Sequence, residues 1–93
     1  GGFYENIPRM LPDGVLAVVE KDSYDVPPIF GLLARTGDIE EHMMYNTFNM
    51  GLGMVLAIDE KDVEKTISAL EAAGDKAWVV GKVEAGEKGV KLV

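Results

Sequence analysis

The feature that most restricts the fold is the apolar run at residues 50–58, MGLGMVLAI, the longest in the chain when glycine is included. It is far shorter than the roughly 20 residues that cross a bilayer, so we interpret it as part of a protein core. Its branched apolar residues, on both faces, predict a strand over 51–58. Such a strand belongs at the centre of a sheet that is covered on two sides.

The rest of the chain alternates between helix and strand patterns. Apolar residues at helical spacing predict helices over 3–11, 27–36, 39–46 and 59–74, and runs rich in branched residues predict further strands over 15–20, 77–83 and 89–92. We therefore expect an α/β or α+β domain, with a small mixed sheet of about four strands covered by helices.

Three details refine the predicted helices. Gly37 lies where the second helix should stop, and Asp38, three residues before Glu41, resembles a capping box that starts the third. In the fourth helix, Asp59 is the expected cap, and the expected buried stripe consists of Val63, Ile67 and Leu70.

Composition limits the function classes. The 93 residues suffice for one small domain, and the absence of cysteine excludes disulfides, thiolate zinc sites and a cysteine nucleophile. The net charge of −7 argues against nucleic acid as a partner, because phosphate binding depends on clustered Lys and Arg. No signal-peptide or membrane-spanning pattern is present in these residues, so we expect a cytoplasmic protein.

The segment TFNMGLG, residues 47–53, is the first candidate for a binding role. In the predicted strand, Gly51 and Gly53 leave the same face bare, which indicates a close approach by either a packed helix or a ligand. Thr47 and Asn49 are short hydrogen-bonding residues that suit a ligand, although such residues more often bond to the nearby backbone.

The opening GGFYEN is the second candidate. Gly1 and Gly2 precede a predicted helix start, where backbone N–H groups can hold a phosphate without a basic side chain, although a plain turn is an equally good explanation. His42 is the only histidine. Without a second metal ligand or a nucleophile beside it, we predict neither a metal site nor a hydrolytic triad, and an exposed helix position is the simpler interpretation.

Three longer stretches extend these two candidates: GGFYENIPRMLP, PPIFGLLARTGDIEEHMMYNTFNMGLGMVLAI and AAGDKAWVVGKVEAGEKGV. Together they resemble the C-terminal part of the phosphoribosylformylglycinamidine cyclo-ligase family, also called aminoimidazole ribonucleotide synthetases. The resemblance implies that residues 1–93 are the C-terminal part of that enzyme's C-terminal domain. The ATP-binding N-terminal domain lies outside them. It also implies an enzyme that uses ATP and Mg²⁺ to close the imidazole ring of formylglycinamidine ribonucleotide, and that acts as a homodimer.

Site residues follow from the same resemblance. Gly1, Gly2 and Asn6 match positions expected near a phosphate-bearing ligand, whereas Thr47, Asn49 and Gly51 are expected to shape the site from behind. No catalytic residue is predicted. Arg9 lies in the matching ENIPR but could instead pair with Glu5 on the same helix.

Two other functions stay open. One is a domain of a related ATP-dependent enzyme, of the selenophosphate synthetase or thiamine-monophosphate kinase type. The other is a non-catalytic interaction or sensing domain of the same fold.

Overall fold

The computed structural model describes all residues, 1–93. Four helices are present: α1 (Phe3–Asn6), continued by a 3-10 turn (Ile7–Met10), α2 (Pro28–Gly37), α3 (Glu41–Thr47) and α4 (Val63–Ala72), the last preceded by a 3-10 turn (Glu60–Asp62). Three strands complete the fold: β1 (Val15–Val19), β2 (Gly81–Ala85) and β3 (Gly89–Leu92). Each helix is too short to cross a lipid bilayer.

The sheet is mixed, with β1 at its centre. It pairs antiparallel with β2, so that Val15 lies opposite Ala85, and parallel with β3, so that Leu16 lies opposite Gly89. Gly81 is required at the start of β2, since a Cβ there would lie 3.0 Å from the Cα of Val19 and closer still to the Val18 carbonyl. The predicted class, helices on a small mixed sheet, is confirmed.

The core lies on one side of β1. Ala17 and Val19 are its two buried residues, and α1, its 3-10 extension and α3 contribute most of the others. The remaining members of the buried cluster are Phe3, Ile7, Leu11, Tyr24, Met44, Tyr45 and Met50. The first and third helices thus form one packed unit with the central strand.

The strand predicted over 51–58 is wrong. These residues join no strand or helix, Met54 is 80% exposed, and the centre of the sheet is β1 instead. The prediction over 77–83 is only partly correct, because pairing begins at Gly81. The sheet therefore has three strands rather than about four.

Helix boundaries differ for local reasons. Asp38 does not start α3; it adopts a left-handed conformation with φ of 52° and ends α2, while Glu40 precedes α3 without a capping side-chain bond. Asp59 precedes a 3-10 turn rather than α4. The stripe Val63, Ile67 and Leu70 is only half-buried, because α4 contacts no other helix or strand except that turn.

Candidate functional site

The N-terminal glycine loop lies directly against the C-terminal turn of α3. The Gly2 N–H donates to the Asn46 carbonyl at 3.1 Å, and Gly2 is itself buried. A Cβ on Gly2 would lie 2.6 Å from the Asn46 carbonyl oxygen and would overlap the Tyr45 carbonyl oxygen. Only glycine therefore fits, and the two sequence segments singled out above become neighbours.

An aromatic contact fixes this arrangement. Phe3 in α1 and Tyr45 in α3 meet edge to face, with ring centroids 5.1 Å apart and planes at 74°. Both side chains are buried. Edge-to-face pairs add to the free energy of burial, so the contact holds the two short helices in one orientation.

Asn6 closes the loop from the other side. Its Nδ2 donates to the Gly2 carbonyl at 2.9 Å, and the Asn6 backbone N–H donates to the same oxygen at 3.1 Å. A Cβ on Gly1 would meet the Asn6 side chain, with Cγ at 2.9 Å. The Asn6 side chain is exposed, so its Oδ1 and the second hydrogen on its Nδ2 remain available to a ligand.

The backbone donors of the loop are not all free. The Gly2 N–H is used by Asn46, whereas helix geometry leaves the N–H groups of Phe3, Tyr4 and Glu5 without a partner inside α1. A ligand at this loop would therefore meet the first turn of α1 rather than the Gly2 amide.

The segment after α3 makes a tight left-handed turn. Met50 and Gly51 have φ of 53° and 98°, and the Asn49 Oδ1 accepts the Gly51 N–H at 2.8 Å. A Cβ on Gly51 would lie 2.9 Å from Cγ of Pro27 and would overlap its Cδ. The Tyr24 hydroxyl donates to the Met50 carbonyl at 3.0 Å. Three separate contacts thus hold a backbone conformation that a non-glycine residue rarely adopts.

The hydroxyl groups near this turn stay protonated well above neutral pH. Burial raises the pKa of Tyr24 to about 12, with a smaller effect from the neighbouring Tyr45. Burial also raises the pKa of Tyr45, and the nearby Glu41 adds to the rise. Tyr24 is therefore a dependable hydrogen-bond donor to the turn.

The predicted site residues fall into two neighbouring groups. Gly1, Gly2 and Asn6 form the loop, and Thr47 is exposed at the end of the helix against which that loop packs. Asn49 and Gly51 form the turn that follows. Asn49 makes the local backbone bond that such residues usually make. The close approach expected at Gly53 is wrong, since no atom lies within 4 Å of a Cβ placed there.

Charged and aromatic residues near the loop form no metal site. His42 is exposed and stacks on Tyr4, with ring centroids 4.3 Å apart, and no group of three His, Asp or Glu side chains could share an ion. Glu5 and Arg9 form no ion pair; Glu41 instead pairs with Lys21 at 2.9 Å. This pair raises the pKa of Lys21.

Sequence reasoning missed Tyr24, Pro27 and Asn46. Tyr24 and Pro27 hold the left-handed turn from a loop more than 20 residues away, and Asn46 contributes only its backbone carbonyl. The helix predicted over 27–36 begins where expected, with Pro27 as the residue before it and Pro28 as its first residue. No sequence signal marked the contacts of Tyr24 or Asn46.

Comparisons with known proteins agree on one family. The family model described as "AIR synthase related protein, C-terminal domain" matches residues 1–93. Three proteins named phosphoribosylformylglycinamidine cyclo-ligase are similar to the chain. The protein from Lachnospira eligens is 67% identical over 99% of the chain, that from Agathobacter rectalis 67% identical over 100%, and that from Bacillus velezensis 52% identical over 94%. The chain covers 27%, 27% and 25% of those proteins, and so spans about a quarter of their length.

Proposed function

The chain belongs to the AIR synthase related protein family, whose C-terminal domain it matches, and from this membership we propose that it forms one wall of the active site of an ATP-dependent cyclo-ligase. The longer enzyme would close the imidazole ring of formylglycinamidine ribonucleotide. The relatives compared above carry the cyclo-ligase name rather than that of a selenophosphate synthetase or a thiamine-monophosphate kinase. We propose the 93-residue chain to be inactive by itself.

One observation carries the proposal. The loop of Gly1 and Gly2 packs so closely on Asn46 that the two family-matching segments, far apart in sequence, form one continuous surface. That surface offers exposed small polar groups and no nucleophile. Ring closure by phosphoryl transfer depends mainly on positioning and charge stabilisation, which such groups supply.

Each residue has a proposed task. Asn6 would hydrogen-bond a phosphate-bearing ligand through the side-chain amide atoms that its bond to Gly2 leaves free, and the loop of Gly1 and Gly2 would place that ligand beside the free N–H groups of the first turn of α1. Thr47 would contact the ligand from α3, and Asn49 with Gly51 would fix the turn behind it. These side chains bind and orient; none moves a proton.

ATP and Mg²⁺ would supply the phosphoryl group and its charge neutralisation. The residues of this chain do not fit a metal, since no three carboxylates or imidazoles converge. We therefore assign the metal ligands to the remaining part of the longer enzyme. We also propose a cytoplasmic homodimer without nucleic-acid or membrane partners, in keeping with the family resemblance and the acidic net charge.

The test is steady-state kinetics of a fusion in which the remainder of the Lachnospira eligens enzyme precedes Gly1. Asn6→Ala should raise KM for formylglycinamidine ribonucleotide by about tenfold, which corresponds to one lost hydrogen bond to a charged group. Lys88→Ala, in an exposed turn, is the control and should leave KM unchanged. The isolated chain should form no ADP.

Two results would contradict the proposal. One is an Asn6→Ala fusion with normal KM and kcat. The other is ATP turnover by the purified 93-residue chain. If the fusion instead acts on a different phosphorylated substrate, the enzyme class is right and the ring closure is wrong.

A further inference from the structure

An open apolar groove lies between α4 and β1. Its volume is 560 Å³, and 19 of the 26 residues that line it are hydrophobic. Met54 and Leu56 form part of one wall with 80% and 51% exposure, and Val79 contributes another with 59%. A continuous exposed apolar surface with this many large side chains indicates an interaction site rather than ordinary surface.

The backbone beside the groove also has no hydrogen-bond partner within the chain. Residues 53–58 make no backbone hydrogen bond, although their sequence, GMVLAI, has the composition of a buried strand. β1 carries β2 on one side and β3 on the other, and residues 53–58 make no hydrogen bond to the outer edge of either β2 or β3. Unpaired N–H and C=O groups along an exposed, strand-like segment are a template for pairing, and a second strand supplies partners for both.

The groove lacks a helix–sheet contact as well. The half-buried stripe of α4, Val63, Ile67 and Leu70, points into it, yet α4 packs on no strand. An occupant must therefore present apolar side chains to α4 and main-chain groups to residues 53–58. A polypeptide in strand conformation does both, because its side chains alternate across its backbone.

We propose that a β-strand from the remaining part of the longer enzyme fills this groove and pairs with residues 53–58. The relatives supply that polypeptide, because this chain spans only about a quarter of their length. A second copy of the chain is the alternative occupant, and the concentration series below separates the two. The proposal rests on family membership and is independent of the substrate proposed above.

Thiol labelling tests the proposal directly, because the chain has no cysteine of its own. Met54→Cys would be introduced into the isolated chain and into the fusion with the remainder of the Lachnospira eligens enzyme, any cysteine of that remainder being replaced with serine first. The matched control is Lys88→Cys, which is exposed and does not line the groove. In the isolated chain, the labelling rates of the thiols at positions 54 and 88 should agree within about threefold. In the fusion, the thiol at position 54 should react at least about thirtyfold more slowly than it does in the isolated chain, whereas the rate at position 88 should not change.

Equal labelling of position 54 in the two proteins would overturn the proposal. A third variant, Val19→Cys, reports folding, since Val19 is only 4% exposed and its thiol should stay protected in any folded protein. If it reacts quickly in the fusion, hydrogen exchange on the unmodified Lachnospira eligens enzyme decides instead. The segment matching 53–58 should then exchange at least about a hundredfold more slowly than in the isolated chain, and equal rates would overturn the proposal.

Self-association gives a different pattern. Its signature in the isolated chain is protection of position 54 that increases with protein concentration from about 10 µM to about 1 mM. That result would assign the groove to a second copy and contradict the proposal. Neither readout uses ATP or substrate. A fusion that protects position 54 but fails to cyclise would therefore support this inference and refute the proposed function.

Discussion

Replacing Gly2 with alanine should separate α1 from α3. The backbone of Gly2, with φ of −99° and ψ of −172°, is open to any residue, so the cost is steric rather than conformational. The new Cβ would overlap the Tyr45 carbonyl oxygen and lie 2.6 Å from that of Asn46, and both are main-chain atoms that cannot rotate away. Overpacking of this kind costs about 1–3 kcal/mol.

Moving the loop away also breaks the Gly2–Asn46 hydrogen bond, which adds about 1 kcal/mol, for a total loss near 2–4 kcal/mol. A domain of this size loses about 4–8 °C of melting temperature per kcal/mol, so the midpoint should fall by about 10 °C or more. Urea and thermal unfolding, followed by circular dichroism and by the fluorescence of the single tryptophan, Trp78, measure the change.

Gly53→Ala is the matched control. No atom lies within 4 Å of its new Cβ, so the free energy of unfolding should stay equal or rise by about 0.4–1 kcal/mol through a less flexible unfolded chain. If Gly2→Ala unfolds within about 0.5 kcal/mol of the parent, or if both variants lose the same stability, the close packing of loop and helix is refuted.

Three further predictions concern the left-handed turn. Tyr24→Phe should lower the free energy of unfolding by about 1–2 kcal/mol, because the Met50 carbonyl loses its donor; Tyr4→Phe, whose hydroxyl makes no hydrogen bond, is the control in the same urea titration. Asn49→Ala should lower the free energy of unfolding by about 0.5–1 kcal/mol. Asn49→Asp should lower it much less, because aspartate keeps the oxygen that accepts the Gly51 N–H. Equal losses in the two variants would exclude that hydrogen bond. Folding raises the pKa of Tyr24 from 10 to about 12. The contribution of this shift to the free energy of unfolding is therefore complete below pH 10 and disappears as the pH rises to about 12. Tyr24→Phe should flatten this decline in stability between pH 10 and 12.

Element type was predictable where local chemistry decides it. The strand predicted over 89–92 is confirmed, and so is a helix around Ile67, which follows from its apolar periodicity. The error at Asp38 is also local, since the capping-box spacing to Glu41 was present but the left-handed end of α2 took the residue instead. The boundary between two neighbouring helices depends on whether such a residue ends the first helix or starts the second. The spacing of residues in the sequence does not decide between these two outcomes.

Residues 51–58 show what a hydrophobicity pattern alone cannot predict. The apolar composition is that of a strand, but a strand exists only when a partner binds its main chain, and residues 51–58 pair with none of the three strands, although β2 and β3 each keep one open edge. The site shows the same limit. Gly2 and Gly51 were identified from sequence, but their contacts, Asn46 and Pro27, are set by tertiary packing.

The pairing of β1 has a consequence for biosynthesis. Val15 pairs with Ala85 and Val19 with Leu92, so both partners of this strand are translated roughly 70 residues after it, and contacts so distant in sequence form slowly. On the ribosome, β1 must wait with both edges open until β2 and then β3 have left the exit tunnel. Nascent chains stalled before residue 81 should therefore be more susceptible to protease and to chaperone capture than chains extended far enough beyond residue 92 for both strands to have left the tunnel.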